Sequence, residues 1–451
     1  MKNKKRFFTL LLAICAGYYI TSAQVIAPID SAYLNKVGDF SRNANKIKEQ
    51  VWPGMQIGPY CIFRLDGPAF LLNHPVPPLN AHHLKDSIYV LNASDYGLVG
   101  ATQTEINNFL TAHNDYSSKS YGSVNQFYAE LFHELHHVYQ RNYIKNLQFD
   151  NPADLLTYPE DYRNDAIKLY ENEVWLEMLL GSRSNLADNV DKIFTCRNMR
   201  RQIIGAKYLD YEKGVESVEG PAMYCEYEYM QQFSSIVKER EYINHRFYYL
   251  LTEPTYGRDV LRGKHLLTGM VQCLLLSKYF KNWQQEYYAS GLYLYDFFIS
   301  KFKPKTSDLP DLGYYKAKAK YFTAQEKANH EVNLRNFNNQ SGTKVTLMFT
   351  ETPDFRGFDP MHAEAINDSL IIHYTTLKLG KGNNRVSFIN HKVLSAISGQ
   401  IWFVKSISFF VDEKDIKADG NRLICNNGTV DIDWKTGSIT RNGNGYLIKL
   451  E

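Results

Sequence analysis

The sequence predicts a multi-domain α+β protein with a small strand-rich N-terminal lobe, a mainly helical body and a C-terminal antiparallel β-sandwich. Three observations carry that reading. Short apolar runs broken by Pro and Gly give way to helical spacing near residue 107, and the helical spacing gives way to strict alternation past residue 336. The third is size: 451 residues, 44% hydrophobic and 22% charged, are enough for two or three cores, which excludes a disordered chain or a small disulfide scaffold.

The first element is a leader. Lys2 to Arg6 form a positive stretch, Phe7 to Ile14 an apolar core, and Thr21-Ser22-Ala23 supply the small residues a signal peptidase requires, so residues 1–23 are expected to direct export to the periplasm or beyond and to be cleaved after Ala23. Phe7 to Ile20 falls short of the roughly 20 apolar residues that cross a bilayer, and no later segment reaches that length, so no membrane span is expected. The formal charge of +3 owes four positive charges to Lys2, Lys4, Lys5 and Arg6; without them the chain is nearly neutral, which argues against a nucleic-acid partner.

Residues 24–106 form the strand-rich lobe, with runs such as Tyr60 to Leu65 and Ser87 to Leu91 between turn residues, and with His74, His82 and His83 read as loop residues. Residues 107–335 are helical, through Val124 to Tyr143, Tyr162 to Leu180, Pro221 to Lys238 and Arg258 to Phe280, each with apolar positions three or four apart. Residues 336–451 alternate at Val345, Leu347 and Phe349 and carry hairpin chemistry at Asp419-Gly420 and Asn442-Gly443. Past the leader the five cysteines Cys61, Cys196, Cys225, Cys273 and Cys425 include no Cys-x-x-Cys pair, so buried free thiols are expected rather than a disulfide framework or a thiolate metal site.

One motif carries chemistry. Within Phe127 to Gln140 stand His133, Glu134 and His137 in the pattern His-Glu-x-x-His. Residues four apart on a helix share a face, so both imidazoles reach one zinc ion and Glu134 leans over the same place. Zinc lowers the pKa of its water toward about 7, and a carboxylate that accepts the proton yields a nucleophile able to attack an amide. Val124, Phe127, Leu131, Leu135 and Val138 form an apolar stripe nearly opposite the two histidines, the pattern of a buried helix with one polar face. His136 is rotated away and is read as a neighbouring polar residue.

Such a site needs a third protein ligand. Gln140 and Tyr143 stand where a metzincin would have its glycine and third histidine, so a more distant carboxylate is required. Glu219 is the first candidate: Gly220 and Ala222 permit close approach to the zinc helix, and Pro221 favours a helix beginning or kinking after it. Glu171 is the next, with Glu173 and Glu177 on the same helix.

These residues resemble the gluzincin branch of the zincin metallopeptidases, in which two histidines and a downstream glutamate bind zinc and the motif glutamate is the general base; the segment Ala129 to Glu134 also resembles secreted bacterial zincin-like proteins. The resemblance covers the helical middle and implies a zincin-like catalytic body, Zn2+ held by His133, His137 and Glu219, Glu134 as catalytic base, and a peptide or protein substrate. The chain departs from the thermolysin-like pattern at Met223, where an aspartate would follow four residues after Glu219. The competing expectation is a non-catalytic zincin-like protein that recognises polysaccharide or protein through the C-terminal sandwich or through aromatic surfaces. The clusters Tyr224, Tyr227 and Tyr229 and Tyr287, Tyr288, Tyr293 and Tyr295 would supply those surfaces.

Overall fold

Helical periodicity begins earlier than the strand-rich reading implies. Val37–Val51 (α2) buries Val37, Phe40, Ala44, Ile47 and Val51 at steps of three and four, the spacing of one helix face, and follows the short helix Pro28–Leu34 (α1), which opens on a proline where a missing N–H is harmless. The computed structural model describes residues 27–451 apart from 66, 118–120, 181–184, 234–240, 242–243, 250, 252–257, 360–361 and 444; the leader read over residues 1–23 lies outside the described residues.

The chain divides into two compact units, one through Leu131 and the other Phe132–Glu451. In the first unit the strands are Tyr60–Phe63 (β1), Pro68–Leu72 (β2), His82–Lys85 (β3), Ile88–Asn92 (β4), Thr102–Ile106 (β5) and Phe109–Asp115 (β6), in the sheet order β3-β4-β2-β1-β6-β5. Every pairing is antiparallel except β1 with β6. The strands therefore run past the expected boundary at residue 106. The physical reason is the Asn107-Asn108 turn, both residues at positive φ, which reverses the chain into β6 instead of opening a helix. His82 and His83 lie on β3 and not in a loop, and His74 is buried with Nε2 2.9 Å from the Ile106 carbonyl.

Val124–Tyr143 (α3) forms over the expected residues and continues from the first unit into the second. The helical body then comprises Pro152–Leu156 (α4), Tyr162–Leu180 (α5), Leu186–Ile204 (α6), Ala206–Phe233 (α7), a π-helical turn at Asn244–Tyr249, Arg258–Tyr279 (α8), Trp283–Ser290 (α9), Leu294–Phe302 (α10) and Gly313–Asn338 (α11). Helix α7 corrects one expectation: no helix begins after Glu219, because Pro221 sits inside a 28-residue helix. A proline there removes the N–H that would bond the carbonyl of Ser217. That carbonyl instead accepts a hydrogen bond from the Tyr287 hydroxyl at 3.3 Å.

From Thr343 the chain is strand again, with Thr343–Phe349 (β7), Asp354–Phe358 (β8), Ala363–Asn367 (β9), Leu370–His373 (β10), Thr376–Lys381 (β11), Asn384–Ile389 (β12), Val393–Ser398 (β13), Gln400–Val411 (β14), Lys417–Asp419 (β15), Arg422–Asn426 (β16), Val430–Asn442 (β17) and Gly445–Leu450 (β18). The path β8-β11-β12-β17-β18-β7-β14-β13-β10-β9 is antiparallel except where β18 lies parallel to β7. The long β17 pairs with β12 and β16 through its first half and with β18 through its second, so one strand serves both halves of a sandwich-like fold. Alternate residues, among them Val345, Leu347, Phe388, Ile407, Phe409 and Trp434, fill its core.

Candidate metal centre

Two helices supply the site, α3 with its histidines and α7 with its carboxylates. On α3 the residues Phe132, Leu135, His136 and Val138 are buried, so the helix is enclosed on more than one side and the imidazoles of His133 and His137 stay largely out of water, at 7% and 8% side-chain exposure. Their Nε2 atoms are 3.0 Å apart. Glu219 on α7 brings its Oε2 to 3.5 Å from His133 Nε2 and 3.3 Å from His137 Nε2. A tetrahedral ion with bonds of about 2.0 to 2.2 Å sets its donor atoms roughly 3.3 to 3.6 Å apart. The two carboxylate-to-imidazole distances have the spacing of such a tetrahedron's edges, and the two imidazole nitrogens, at 3.0 Å, stand somewhat closer. Among the described residues they form a group of His, Cys, Asp or Glu side chains with ligand atoms close enough to share an ion.

Each donor is held by a partner of its own. His137 Nδ1 donates to Gln140 Oε1 at 2.8 Å, which leaves the Nε2 lone pair facing the group, and Gln140 Nε2 donates to the Val218 carbonyl at 3.0 Å and to the Tyr288 hydroxyl at 3.1 Å. One glutamine therefore fixes an imidazole and ties α3 to the residue preceding Glu219. His133 Nδ1 lies 3.2 Å from Glu226 Oε2, close enough for charge pairing although off the line of a good hydrogen bond. Glu226 is itself paired with Arg246 at 3.1 Å.

The sequence reading missed Glu226. It stands seven residues and two helical turns beyond Glu219, on the same side of α7. The signal was present in the spacing of Glu212, Glu216, Glu219 and Glu226, which all fall within roughly 80° of one another around a helix.

Gly220 plays a different part from the expected one. A Cβ on Gly220 would lie 2.6 Å from the backbone of Gly269, so the close approach is to α8 and not to the histidine helix. On the same helix, a Cβ on Gly214 would meet the backbone of Asp150 at 2.6 Å. These two contacts seat α7 against the elements that carry Asp150 and Arg262. Arg262 donates from Nη2 to Glu219 Oε1 at 2.8 Å and from Nη1 to Asp150 Oδ2 at 2.6 Å.

The electrostatics follow from this company. Burial works against a charge on His133, but the carboxylates of Glu219, Glu226 and Glu134 outweigh it and push its pKa up to about 10. Burial would favour a protonated Glu219; His137, His133 and Arg262 hold it well below the usual carboxylate range. Glu226 is likewise drawn down to about 2, against its burial, by Arg246 and His133. Glu134 is buried beside the histidines and acts on His133 through its charge. His136 is buried and engaged at both nitrogens, with Nε2 2.9 Å from the Tyr288 hydroxyl and Nδ1 3.4 Å from Cys225 Sγ. Burial and the neighbouring His137 and His133 charges lower its pKa, so it stays neutral.

The other candidates lie elsewhere. Glu171 sits in a buried ionic network with Lys168, Arg197 and Arg200. Glu173 accepts a hydrogen bond from the Tyr315 hydroxyl at 2.6 Å, and Glu177 one from Asn185 at 3.4 Å. Tyr224, Tyr229, Tyr287 and Tyr295 are buried and Tyr227, Tyr288 and Tyr293 half-buried, which makes them packing residues rather than a stacking surface. The five cysteines past the leader are buried free thiols. No helix among the described residues is long and apolar enough to cross a membrane. The chain matches no protein-family model, no curated protein and no solved structure.

Proposed function

We propose that the protein is a zinc-dependent peptidase, exported by its leader, in which His133, His137 and Glu219 hold the metal and Glu134 is the general base. The observation that carries this reading is the convergence of two Nε2 atoms and one carboxylate oxygen at 3.0, 3.3 and 3.5 Å, beside a buried acid that such a site does not need merely to bind metal. Zinc bound by three protein groups supplies a Lewis acid that brings the pKa of water toward about 7.

The chain's own residues do the rest. Gln140 holds the His137 ring with Nε2 turned inward, and the Glu226 carboxylate faces His133 Nδ1 at 3.2 Å as a charge partner. Glu134 takes the proton from the attacking water and passes it to the leaving amine. A peptide or protein substrate is the one proposed, since a metal-activated water with an adjacent base is the chemistry that amide hydrolysis demands.

Glu134→Gln tests the reading. The amide keeps the shape of the side chain and cannot accept a proton, so zinc content measured on the purified protein should match the parent while digestion of a mixed peptide library falls by at least about a hundredfold. Undiminished digestion would remove Glu134 from the mechanism; a parent protein that takes up no zinc would remove the metal centre.

A further inference from the structure

Glu219 divides its two carboxylate oxygens between different neighbours. Oε2 faces both imidazoles, and Oε1 is taken by Arg262 Nη2 at 2.8 Å. Arg262 is gripped from its other side by Asp150 at 2.6 Å, and its side chain is 13% exposed, so its guanidinium has little room to turn. The backbone contacts at Gly214 and Gly220 bring both partners into reach: the first lets α7 touch Asp150, and the second lets it touch α8, which bears Arg262.

We propose that Asp150 and Arg262 form a clamp that restricts Glu219 to a single-oxygen contact with a divalent metal. The inference rests on the metal-centre reading above and adds a positioning role for two residues outside the ligand set. A guanidinium is a rigid planar fork, and a charge-assisted hydrogen bond to it is short and directional. While Arg262 holds Oε1, the carboxylate cannot rotate to offer both oxygens to the same ion. Without that restraint the second oxygen becomes a ligand, and a position needed by water is filled by the protein. The clamp therefore controls how many ligands the chain supplies, and does not merely increase how tightly it binds.

Cobalt(II) titration of the full chain reads this directly, because the visible absorption of cobalt reports coordination number independently of turnover. The parent should give the intense bands of a four-coordinate ion. Arg262→Met should lower the absorptivity by about twofold or more, toward a five-coordinate spectrum, while the cobalt dissociation constant stays within about tenfold of the parent. Asp150→Asn preserves side-chain volume while loosening Arg262, and should move the spectrum in the same direction by less. Arg262→Lys should restore part of the parent absorptivity.

Parent-like spectra in both Arg262→Met and Asp150→Asn would overturn the clamp. So would a loss of cobalt affinity beyond about a hundredfold with no change in spectral shape, which would make Arg262 a support for binding alone. If Arg262→Met fails to fold, Asp150→Asn and Arg262→Lys decide the matter by the same criterion. A parent chain that binds no cobalt would refute the metal-centre reading itself, an outcome separate from parent-like spectra in the variants.

Discussion

Helix α7 carries two sets of inward-facing carboxylates, buried except for the half-buried Glu219, and they keep different company. Glu212 and Glu216, on its first half, meet full positive charges: Arg197 Nη1 donates to Glu216 at 2.8 Å, Arg200 pairs with Glu212 and donates to Glu171 at 2.8 Å, and Lys168 stands 3.4 Å from Glu171. Three cations answer three carboxylates there, and His265 and Thr268 complete the hydrogen bonding around Glu216. Glu219 at its middle and Glu226 nearer its C-terminal end meet imidazoles instead. Around them Glu134, Asp150, Glu219 and Glu226 are set against the guanidiniums of Arg246 and Arg262. The first set is a charge-balanced, buried network that ties α5, α6 and α7 together. Counted without the imidazoles, the second has two more carboxylates than guanidiniums around two imidazole nitrogens, which is the electrostatic complement of a divalent cation once His133 gives up its proton. Same helix and same residue type give opposite outcomes because the partners differ in charge.

The comparison can be broken most severely from the first side. Arg200→Met strips the cation from Glu171 and Glu212 in a fully buried place, and should cost about 3 to 5 kcal/mol of folding free energy. Denaturant unfolding would measure that loss, and the molecules that remain folded should bind one zinc as before. Loss of metal in the folded fraction would show that the two sets are not separable.

From the second side, Glu226→Gln should weaken zinc binding by about 10- to 100-fold while changing stability in chelator much less than Arg200→Met does. Competition with a chromogenic chelator measures the first quantity and denaturant unfolding the second. A zinc affinity equal to that of the parent would mean that Glu226 belongs with the structural acids.

Acidity separates the two sets more gently. With no metal bound, His133 has a folded pKa of about 10 against an ordinary 6.5, so its stabilisation is fully present below pH 6.5 and is lost as pH rises through 10. A metal must displace that proton. Zinc affinity should therefore rise by at least about tenfold per pH unit between pH 6.5 and 10, with at least one proton released per ion bound. Glu171, held at about 2 by Lys168, Arg197 and Arg200 against its burial, has no such change in this window. Calorimetry in buffers of different ionisation enthalpy counts the protons, and a flat profile would remove His133 from the ligand set. The smallest effect is expected at Glu173, which is exposed and accepts a hydrogen bond from the Tyr315 hydroxyl: Glu173→Ala should shift stability by no more than about 0.5 kcal/mol, and zinc affinity not at all.

Much of this was legible in the sequence where one periodicity dominates. Val124–Tyr143 and Tyr162–Leu180 form at the expected residues because their apolar spacing and length leave no competing structure. The three proposed ligands were legible too, since an i, i+4 pair of histidines fixes two of them. The reason offered for the third was physically misplaced, because a glycine announces close approach without naming what approaches, and here the neighbour is Gly269. Pro221 misled in a similar way: a helix break is the default, and only a hydroxyl from Tyr287, distant in sequence, relieves it. The roles of Glu171 and Glu226 were out of reach because carboxylates on neighbouring turns look alike until their partners on other helices are known. In the N-terminal lobe, α1 and α2 were hidden by polar residues on the exposed face of α2, and β6 by an Asn-Asn turn.

The contact between Gly220 and Gly269 has a consequence for sequence change. Where two ordinary side chains touch, enlarging one can be offset by shrinking the other, so the pair drifts together over many substitutions. Here neither member can shrink, since both are already glycine and each added Cβ would lie within 2.7 Å of the facing backbone. A methyl group gained at Gly220 leaves only a backbone shift as relief, and Glu219 is the next residue along that backbone. The crossing point is thus a position without second-site suppressors inside the pair, and any lineage that lost it would have to rebuild the placement of the carboxylate from elsewhere in the helix.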